Sequence, residues 1–254
     1  MKAVQLTGYE GLKSLKVVEI QKPRPKPTEI LIAVKAAGIN FAESELLDGK
    51  YRVPKTPPFT MGFEAAGIVE EVGSEVGRIQ PGDNVTGIVS SGGYAEYATA
   101  EASLAIPIPR GICFVEASTI PIQGLSAYAL LKFAAKPQPS ESILVQAAAG
   151  GVGLYLVQLA KILGAKTVIA LAGSPEKVTL WRTSVRILLS TTQNQIGWSR
   201  SVPQRRERAW ILCSKQRPGK SAPKVSSSSR RSEELSSTER ETFTTHSVQI
   251  GYSS

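Results

Sequence analysis

The spacing of apolar and polar positions changes twice along the chain. Up to about residue 110, short apolar runs separated by Gly and Pro predict many short strands, which is typical of a small, partly closed β-barrel. From Val115 to Ala135 the apolar spacing is helical, although Pro121 and Gly124 interrupt it. Beyond about Leu189 no sustained periodicity remains. The pattern therefore predicts a strand-rich first part, a mixed middle part and a last part without a core.

The stretch from Ser142 to Ser174 predicts a strand, a glycine-rich turn, a helix and a second strand. The turn has the A-x-G-x-x-G spacing of a dinucleotide-binding fingerprint. A backbone without side chains can approach a pyrophosphate closely, and the N-terminus of the following helix attracts its charge. We therefore predict that this turn binds a dinucleotide. The residues of the predicted site are Ala148, Gly150, Gly151, Val152 and Gly153.

The end of the second strand indicates which dinucleotide is bound. An NAD-binding fold places an acid there to bond the ribose 2′-hydroxyl, but no acid lies between Lys166 and Pro175. Gly173 and Ser174 follow the strand instead, and Lys177 comes soon after. Because a hydroxyl and an ammonium group suit a 2′-phosphate, we predict NADPH as the cofactor, with these three residues in its site. The alternative is that Lys177 is only a solvated helix residue.

The net charge of +9 is concentrated at the C-terminal end. Residues 181–254 contain 13 of the 30 Lys and Arg residues but only 5 of the 21 Asp and Glu residues, and they are rich in Ser. Such a composition cannot bury enough apolar surface to offset the entropy of ordering, so it predicts disorder. The basic tail would give at most salt-sensitive, sequence-independent binding to nucleic acid, which is not a predicted partner.

The remaining composition bears on the compartment. Cys113 and Cys213 do not make a disulfide framework, which fits a reducing environment. The N-terminus is strand-like, with no signal peptide, and no apolar run approaches the length of a membrane span. We therefore expect a cytoplasmic protein without a membrane partner.

Five motifs then follow one another in a characteristic order and spacing. They are Ala37-Gly38-Ile39-Asn40, Gly62-Phe63-Glu64-Ala65-Ala66-Gly67, Pro81-Gly82-Asp83-Asn84-Val85, Gly93-Tyr94-Ala95-Glu96-Tyr97 and Ala148-Ala149-Gly150-Gly151-Val152-Gly153. Over about residues 1–180 they resemble the medium-chain dehydrogenase/reductase superfamily, and most of all its zinc-independent quinone oxidoreductase branch. The resemblance implies an α/β protein with a GroES-like β-barrel catalytic domain at 1–122. A truncated Rossmann domain, with a doubly wound parallel sheet, would follow at 123–180, and a disordered tail at 181–254.

The resemblance also bears on metal and substrate. Zinc-dependent members carry a ligand Cys where this chain has Asn40 and a ligand His where it has Phe63, and neither Asn nor Phe can replace those donors. No metal is therefore predicted. Without a Lewis acid, hydride transfer favours an electron-poor acceptor. The implied activity is NADPH-dependent reduction of quinones or α,β-unsaturated carbonyls.

Roles for individual residues come from the same resemblance. It implies catalytic roles for Asn40, beside the nicotinamide, and for Tyr51, at the border of the substrate pocket, and it places Ser126 at the nicotinamide end. Glu64 is expected to have a structural hydrogen-bonding role and not an acid–base role. Each of the first three has a plainer alternative: Asn40 would fill a turn, Tyr51 would be a core aromatic, and Ser126 would pack a helix.

The resemblance stops near residue 180, after one complete βαβ unit. We interpret residues from about 181 onward as read out of frame or as an aberrant gene model, and a genuine basic tail is the alternative.

Family members are often homodimers, and their usual dimer strand falls in the unmatched part. The competing functional hypothesis is a truncated, catalytically inactive product. A truncated sheet would also leave Val168, Ile169 and Leu171 near an uncovered surface, together with apolar helix positions such as Leu159.

Overall fold

The structure is a computed structural model of the 254-residue chain. It describes residues 1–51, 53, 55–138 and 141–174, together with the backbone of two strands at 209–213 and 245–249. The chain divides into two compact units, Met1–Leu125 and a second unit that begins at Ser126. This division falls close to residue 122, where the sequence predicts the end of the first domain.

Two antiparallel sheets form the first unit. Its strands are β1 (Lys2–Leu6), β2 (Leu15–Glu19), β3 (Glu29–Ala37), β4 (Phe59–Thr60), β5 (Glu64–Val72), β6 (Asn84–Ile88), β7 (Tyr97–Glu101) and β8 (Ile106–Pro107). The smaller sheet has the order β2-β1-β4 and the larger one the order β7-β3-β5-β6-β8. Ile30, Ile32, Val69 and Val85 form the buried centre of the larger sheet. The strand-rich first part predicted from the hydrophobic pattern is thereby confirmed.

A second apolar cluster in this unit holds its first helix, α1 (Phe41–Leu47). Leu46 of this helix is buried with Leu6 of β1 and Met61. Partly buried aromatic residues, among them Tyr51 and Phe63, pack around these three side chains. The second half of α1 is therefore anchored by apolar contacts, and Asn40 directly precedes the first turn of this helix.

The predicted helical stretch is present but broken, as its Pro and Gly residues predict. It consists of α2 (Phe114–Ala117), a π-helical turn (Ile120–Gly124), α3 (Leu125–Ala129) and a second π-helical turn (Leu130–Ala135). Two 3-10 turns, Gly11–Ser14 and Ala102–Leu104, lie earlier in the chain. Pro121 has no backbone N–H to donate, and the Gly124 N–H bonds to the Thr119 carbonyl oxygen at 3.3 Å, five residues back. Of the helices within the described residues, none is long and apolar enough to cross a membrane.

The second unit contains the predicted strand, turn, helix and strand. β9 (Ser142–Gln146) and β10 (Thr167–Ala170) pair in parallel and are connected through α4 (Gly151–Ile162). The apolar positions of α4, Leu156 and Val157, pack in one buried cluster with Ile143 and Val145 of β9. The apolar positions spaced at 3.6 residues along α4 and the apolar run of β9 are therefore buried against each other in this core.

Two more strands, from the C-terminal segment, belong to the same sheet. β11 (Ala209–Cys213) and β12 (Thr245–Gln249) extend it to the parallel order β10-β9-β11-β12. At these ten positions the structure has strand where the composition of residues 181–254 predicts disorder. The sequence of β11 is a short apolar run of the kind found in buried parallel strands, and pairing with β9 satisfies its backbone. The other residues of this segment lie outside the described part.

The prediction of an uncovered surface is wrong for Val168 and Ile169, whereas Leu171 and Leu159 are half-buried. Val168 and Ile169 are only 3% and 7% exposed. Val168 belongs to the apolar cluster of β9 and α4. β10 is the edge strand of the described sheet, so the cover of Val168 comes from packing against α4 and β9 and not from the additional strands.

Candidate functional site

The glycine-rich turn between β9 and α4 is a tight, well-anchored backbone structure. Ala147 has a left-handed φ of 51°, and the Gly150 N–H closes the turn on the Ala147 carbonyl oxygen at 2.8 Å. Ala148 is fully buried, and its N–H bonds to the Leu171 carbonyl oxygen at 2.9 Å. The turn is thus tied to the chain that leaves β10.

Gly153 lets α4 lie directly on this turn. A Cβ atom at Gly153 would collide with the Ala147 carbonyl oxygen and lie 2.7 Å from Ala148 Cα. The first turn of α4 contains no acidic residue, so no side chain there offsets the positive end of the helix. This backbone cradle fits a dinucleotide pyrophosphate. All five predicted fingerprint residues lie in it: Ala148, Gly150, Gly151, Val152 and Gly153.

The segment after β10 contains two of the three residues predicted to lie at a 2′-phosphate, Gly173 and Ser174. Ala172 is buried, Gly173 is exposed, and Ser174 is half-buried. No carboxylate stands at these positions to bond a ribose 2′-hydroxyl. Lys177 lies outside the described residues.

In the first unit, Asn40 is the N-cap residue of α1. It forms a capping box with Glu43, whose Oε2 accepts the Asn40 backbone N–H at 2.8 Å. The side chain of Asn40 is only 6% exposed, and its Nδ2 donates to Glu64 Oε1 at 2.9 Å. Asn40 therefore has the local structural role that the plainer interpretation expects, and in addition a long-range bond to a buried acid.

Two carboxyl groups are buried beside Asn40. Glu43 is 3% exposed and Glu64 is 0% exposed. Glu43 Oε2 accepts the Tyr94 hydroxyl at 2.9 Å, and Glu64 Oε2 accepts the Ile122 N–H at 2.7 Å. The bonds of Glu64 agree with the hydrogen-bonding role expected for it.

The electrostatics of this group follow from burial. Burial raises the pKa of Glu43, and hydrogen bonds from Asn40 and Tyr94 lower it in part. Burial also raises the pKa of Glu64; the bonds from Asn40 and Ile122 oppose this effect, and the charge of Glu43 adds to it. The pKa of the Tyr94 phenol is raised by burial and by the neighbouring Glu43. The site therefore favours the protonated form of its acids more than water does.

Gln123 and Gly38 complete the surroundings of Asn40. Gln123 Nε2 lies 3.3 Å from Asn40 Oδ1 and 3.4 Å from the Ile39 carbonyl oxygen. A Cβ atom at Gly38 would lie 2.7 Å from Glu64 Cδ and 2.8 Å from the Ser118 carbonyl oxygen. Only glycine lets the chain after β3 pass this close to the Glu64 carboxyl group.

Glu43, Tyr94 and Gln123 were not predicted as members of this site. The N-x-x-E spacing of Asn40 and Glu43 is a capping-box signal that could have identified Glu43. Tyr94 and Gln123 are 51 and 83 residues from their partners in the site. A local sequence pattern does not predict contacts between residues that are so far apart in the chain.

The other two predicted site residues have apolar or helical surroundings. The Tyr51 ring packs against Phe63, with ring centroids 6.4 Å apart, in the cluster built on Leu6, Leu46 and Met61. This is the position that the core-aromatic alternative expects. Ser126 is half-buried in α3 at the start of the second unit.

Over the described ranges, no group of three or more His, Cys, Asp or Glu side chains is arranged to hold a metal ion.

Comparison with known proteins places this fold and site in a family. Residues 26–110 match the alcohol dehydrogenase GroES-like domain. The chain is 37% identical over 182 residues to a quinone oxidoreductase of Pseudomonas aeruginosa, covering 71% of this chain and 55% of that protein. It is 36% identical over 174 residues to the synaptic vesicle membrane protein VAT-1 homolog of Danio rerio, covering 68% and 36% of the two chains.

One solved structure matches a larger share of this chain than these two relatives do. The Escherichia coli quinone oxidoreductase complexed with NADPH is 30% identical, with a TM-score of 0.72, covering 84% of this chain and 73% of that one. The GroES-like match in the first unit and the βαβ unit with its glycine turn in the second define the class of two-domain dinucleotide-binding oxidoreductases. The chain belongs to the zinc-independent quinone oxidoreductase branch of the medium-chain dehydrogenase/reductase superfamily. It spans 36% and 55% of the two curated relatives named above.

Proposed function

We propose that this chain is an NADPH-dependent, zinc-independent reductase of quinones or α,β-unsaturated carbonyls. The observation that carries the proposal is the cradle at the start of α4, where Gly153 leaves no room for a Cβ atom and the first helical turn has no acid. Solved relatives of the chain include quinone oxidoreductases in complex with NADPH. Both observations support a dinucleotide as the ligand.

The roles proposed for individual residues come from the resemblance to the family. The turn from Ala148 to Gly153 would hold the pyrophosphate. Ser174 and Lys177 would contact the 2′-phosphate, which distinguishes NADPH from NADH. Asn40 and Ser126 would contact the nicotinamide end. When bound, NADPH supplies the hydride, and the protein supplies orientation and polar contacts.

The proposed substrate class follows from the chemistry that the residues can support. A hydride acceptor that is not activated by a metal must itself be electron-poor, as a quinone or an enone is. Its developing negative charge would need hydrogen-bond donors from the protein. Tyr51, in the cluster with Phe63, would border the substrate.

A titration of the full chain with NADPH and with NADH tests the cofactor. We expect enhanced NADPH fluorescence, with tighter binding of NADPH than of NADH. NADPH oxidation with a small quinone, followed at 340 nm, then tests the reaction. Activity should be unchanged in EDTA. Absence of binding to either nucleotide, or activity that EDTA removes and zinc restores, would overturn the proposal.

A further inference from the structure

The side-chain amide of Asn40 has different neighbours at its two ends. Nδ2 donates to Glu64 Oε1 at 2.9 Å and lies 3.4 Å from Glu43 Oε2. Oδ1 faces the first turn of α1, where the Glu43 N–H bonds to the Asn40 carbonyl oxygen at 3.0 Å, and it accepts from Gln123 Nε2 at 3.3 Å. Hydrogen-bond acceptors therefore surround the nitrogen, and a donor lies against the oxygen.

The reversed amide is disfavoured at each of these contacts. It would place the Asn40 oxygen against the Glu64 carboxylate and the nitrogen against Gln123 Nε2. Gln123 could relieve the second contact only by reversing its own amide and losing its bond to the Ile39 carbonyl oxygen. Glu64 cannot turn away, because its second oxygen accepts the Ile122 N–H at 2.7 Å and that N–H would lose its partner. Gly38 packs so tightly against the carboxyl group that a Cβ atom there would lie 2.7 Å from Glu64 Cδ.

We propose that Glu64 is a positioning residue: it holds Nδ2 of Asn40, so that Asn40 offers a hydrogen-bond acceptor to the bound cofactor and not a donor. Donation to a buried carboxylate polarises the amide and strengthens its oxygen as an acceptor. The long contact from Gln123 is the one that a ligand would replace.

The ligand chemistry that fits is a hydrogen-bond donor of the nicotinamide nucleoside, either the carboxamide N–H or a ribose O–H. This identification of the ligand rests on the proposed function, whereas the orientation of the amide does not. A substrate oxyanion needs a donor, and Nδ2 is committed to the carboxylates. Stabilisation of that oxyanion must therefore come from a group other than Asn40.

The orientation can be measured without any activity. The chain has three asparagines, Asn40, Asn84 and Asn194. Selective ¹⁵N-asparagine labelling of the full chain therefore gives three side-chain amide signals, and Asn40→Ala identifies the one from Asn40. We expect its protons to be shifted downfield of those of Asn84, which is exposed on β6. An Asn40 signal that coincides with the Asn84 signal would already overturn the proposal.

Two variants of equal size separate positioning from loss of charge. Glu43→Gln can keep an oxygen where Oε2 accepts the Asn40 N–H and the Tyr94 hydroxyl, so the Asn40 side-chain signal should stay near its wild-type position. Glu64→Gln cannot accept from both Asn40 and Ile122, because one end of its amide is a donor. The Asn40 signal should then move upfield. Equal shifts in both variants, or no shift in either, would refute the positioning role. An unchanged Asn84 signal shows that the fold is intact.

Cofactor binding gives the second readout. We expect Glu64→Gln to weaken NADPH binding about tenfold, the equivalent of about 1.4 kcal/mol, which is the scale of one hydrogen bond. The 3-acetylpyridine analogue of NADPH lacks the carboxamide N–H. If the carboxamide is the donor, the analogue binds more weakly and is insensitive to Glu64→Gln; if a ribose hydroxyl is the donor, the variant weakens both ligands equally. Unchanged NADPH binding in Glu64→Gln would contradict the proposal. If the wild-type chain binds no NADPH, the proposed function fails, while the NMR result still decides the positioning role.

Discussion

Substitution of Gly153 by alanine should separate α4 from the turn that it rests on. The added Cβ would collide with the Ala147 carbonyl oxygen and lie 2.7 and 2.9 Å from Ala148 Cα and C, and all three atoms belong to the backbone. To reach ordinary van der Waals distances, α4 or the turn must move by about 0.5–1 Å, and such overpacking typically costs about 1–3 kcal/mol. Alanine has a higher helix propensity than glycine, and this difference offsets up to about 1 kcal/mol of the cost. Because all three close atoms are backbone and cannot turn away, we take the upper half of the overpacking range, and the net expectation is a destabilisation of about 1–2 kcal/mol.

Thermal unfolding of the full chain, followed by circular dichroism, measures the stability effect, and the NADPH titration measures the effect on the cradle. We expect a fall in Tm of about 2–8 °C and a loss of NADPH binding larger than the stability change alone produces. Gly77→Ala is the matched control, since a Cβ atom there meets nothing within 4 Å and the substitution should be neutral or slightly stabilising. A Gly153→Ala chain with the Tm and NADPH affinity of the control would refute this account of the turn.

Three further changes test other parts of the chain. Ala147→Gly should raise Tm slightly, because relief of a left-handed alanine, about 1–2 kcal/mol, exceeds the entropic cost of glycine, about 0.5–1 kcal/mol; a clear fall in Tm would contradict it. The pKa of buried Glu43 is raised above the value of 4.5 that it has when unfolded, so its contribution to stability is fully present below pH 4.5 and is lost as the pH rises through the folded pKa. Between pH 4.5 and the folded pKa, the free energy of unfolding of the wild type, measured with urea, should therefore fall relative to that of Glu43→Gln, by at most about 1.4 kcal/mol per pH unit. A difference between the two free energies that does not change with pH would contradict this prediction. Lys177→Ala should weaken NADPH binding by about 1–3 kcal/mol and leave NADH binding nearly unchanged, whereas equal losses would assign Lys177 to folding.

The sequence predicts the βαβ unit well because every signal in it is local. The apolar run of β9, the glycine spacing and the helical periodicity of α4 each reflect interactions within about four residues. β11 was missed because five apolar residues lie inside a segment whose average composition is polar and basic. Its pairing with β9 joins residues more than sixty positions apart, and composition carries no information about such a contact.

The site in the first unit shows why residue type alone cannot define chemistry. Asn40 was predicted from the family motif, and the sequence leaves open which end of its amide a ligand would meet. That choice depends on Glu64, which is 24 residues away and is held by the Ile122 N–H, a further 58 residues along the chain. A glutamine at position 64 would preserve size, burial and polarity, but it would replace one acceptor by a donor and remove the reason for the observed orientation. The hydrogen-bonding character of Asn40 is therefore a property of the folded network, and it can be changed without substituting Asn40 itself.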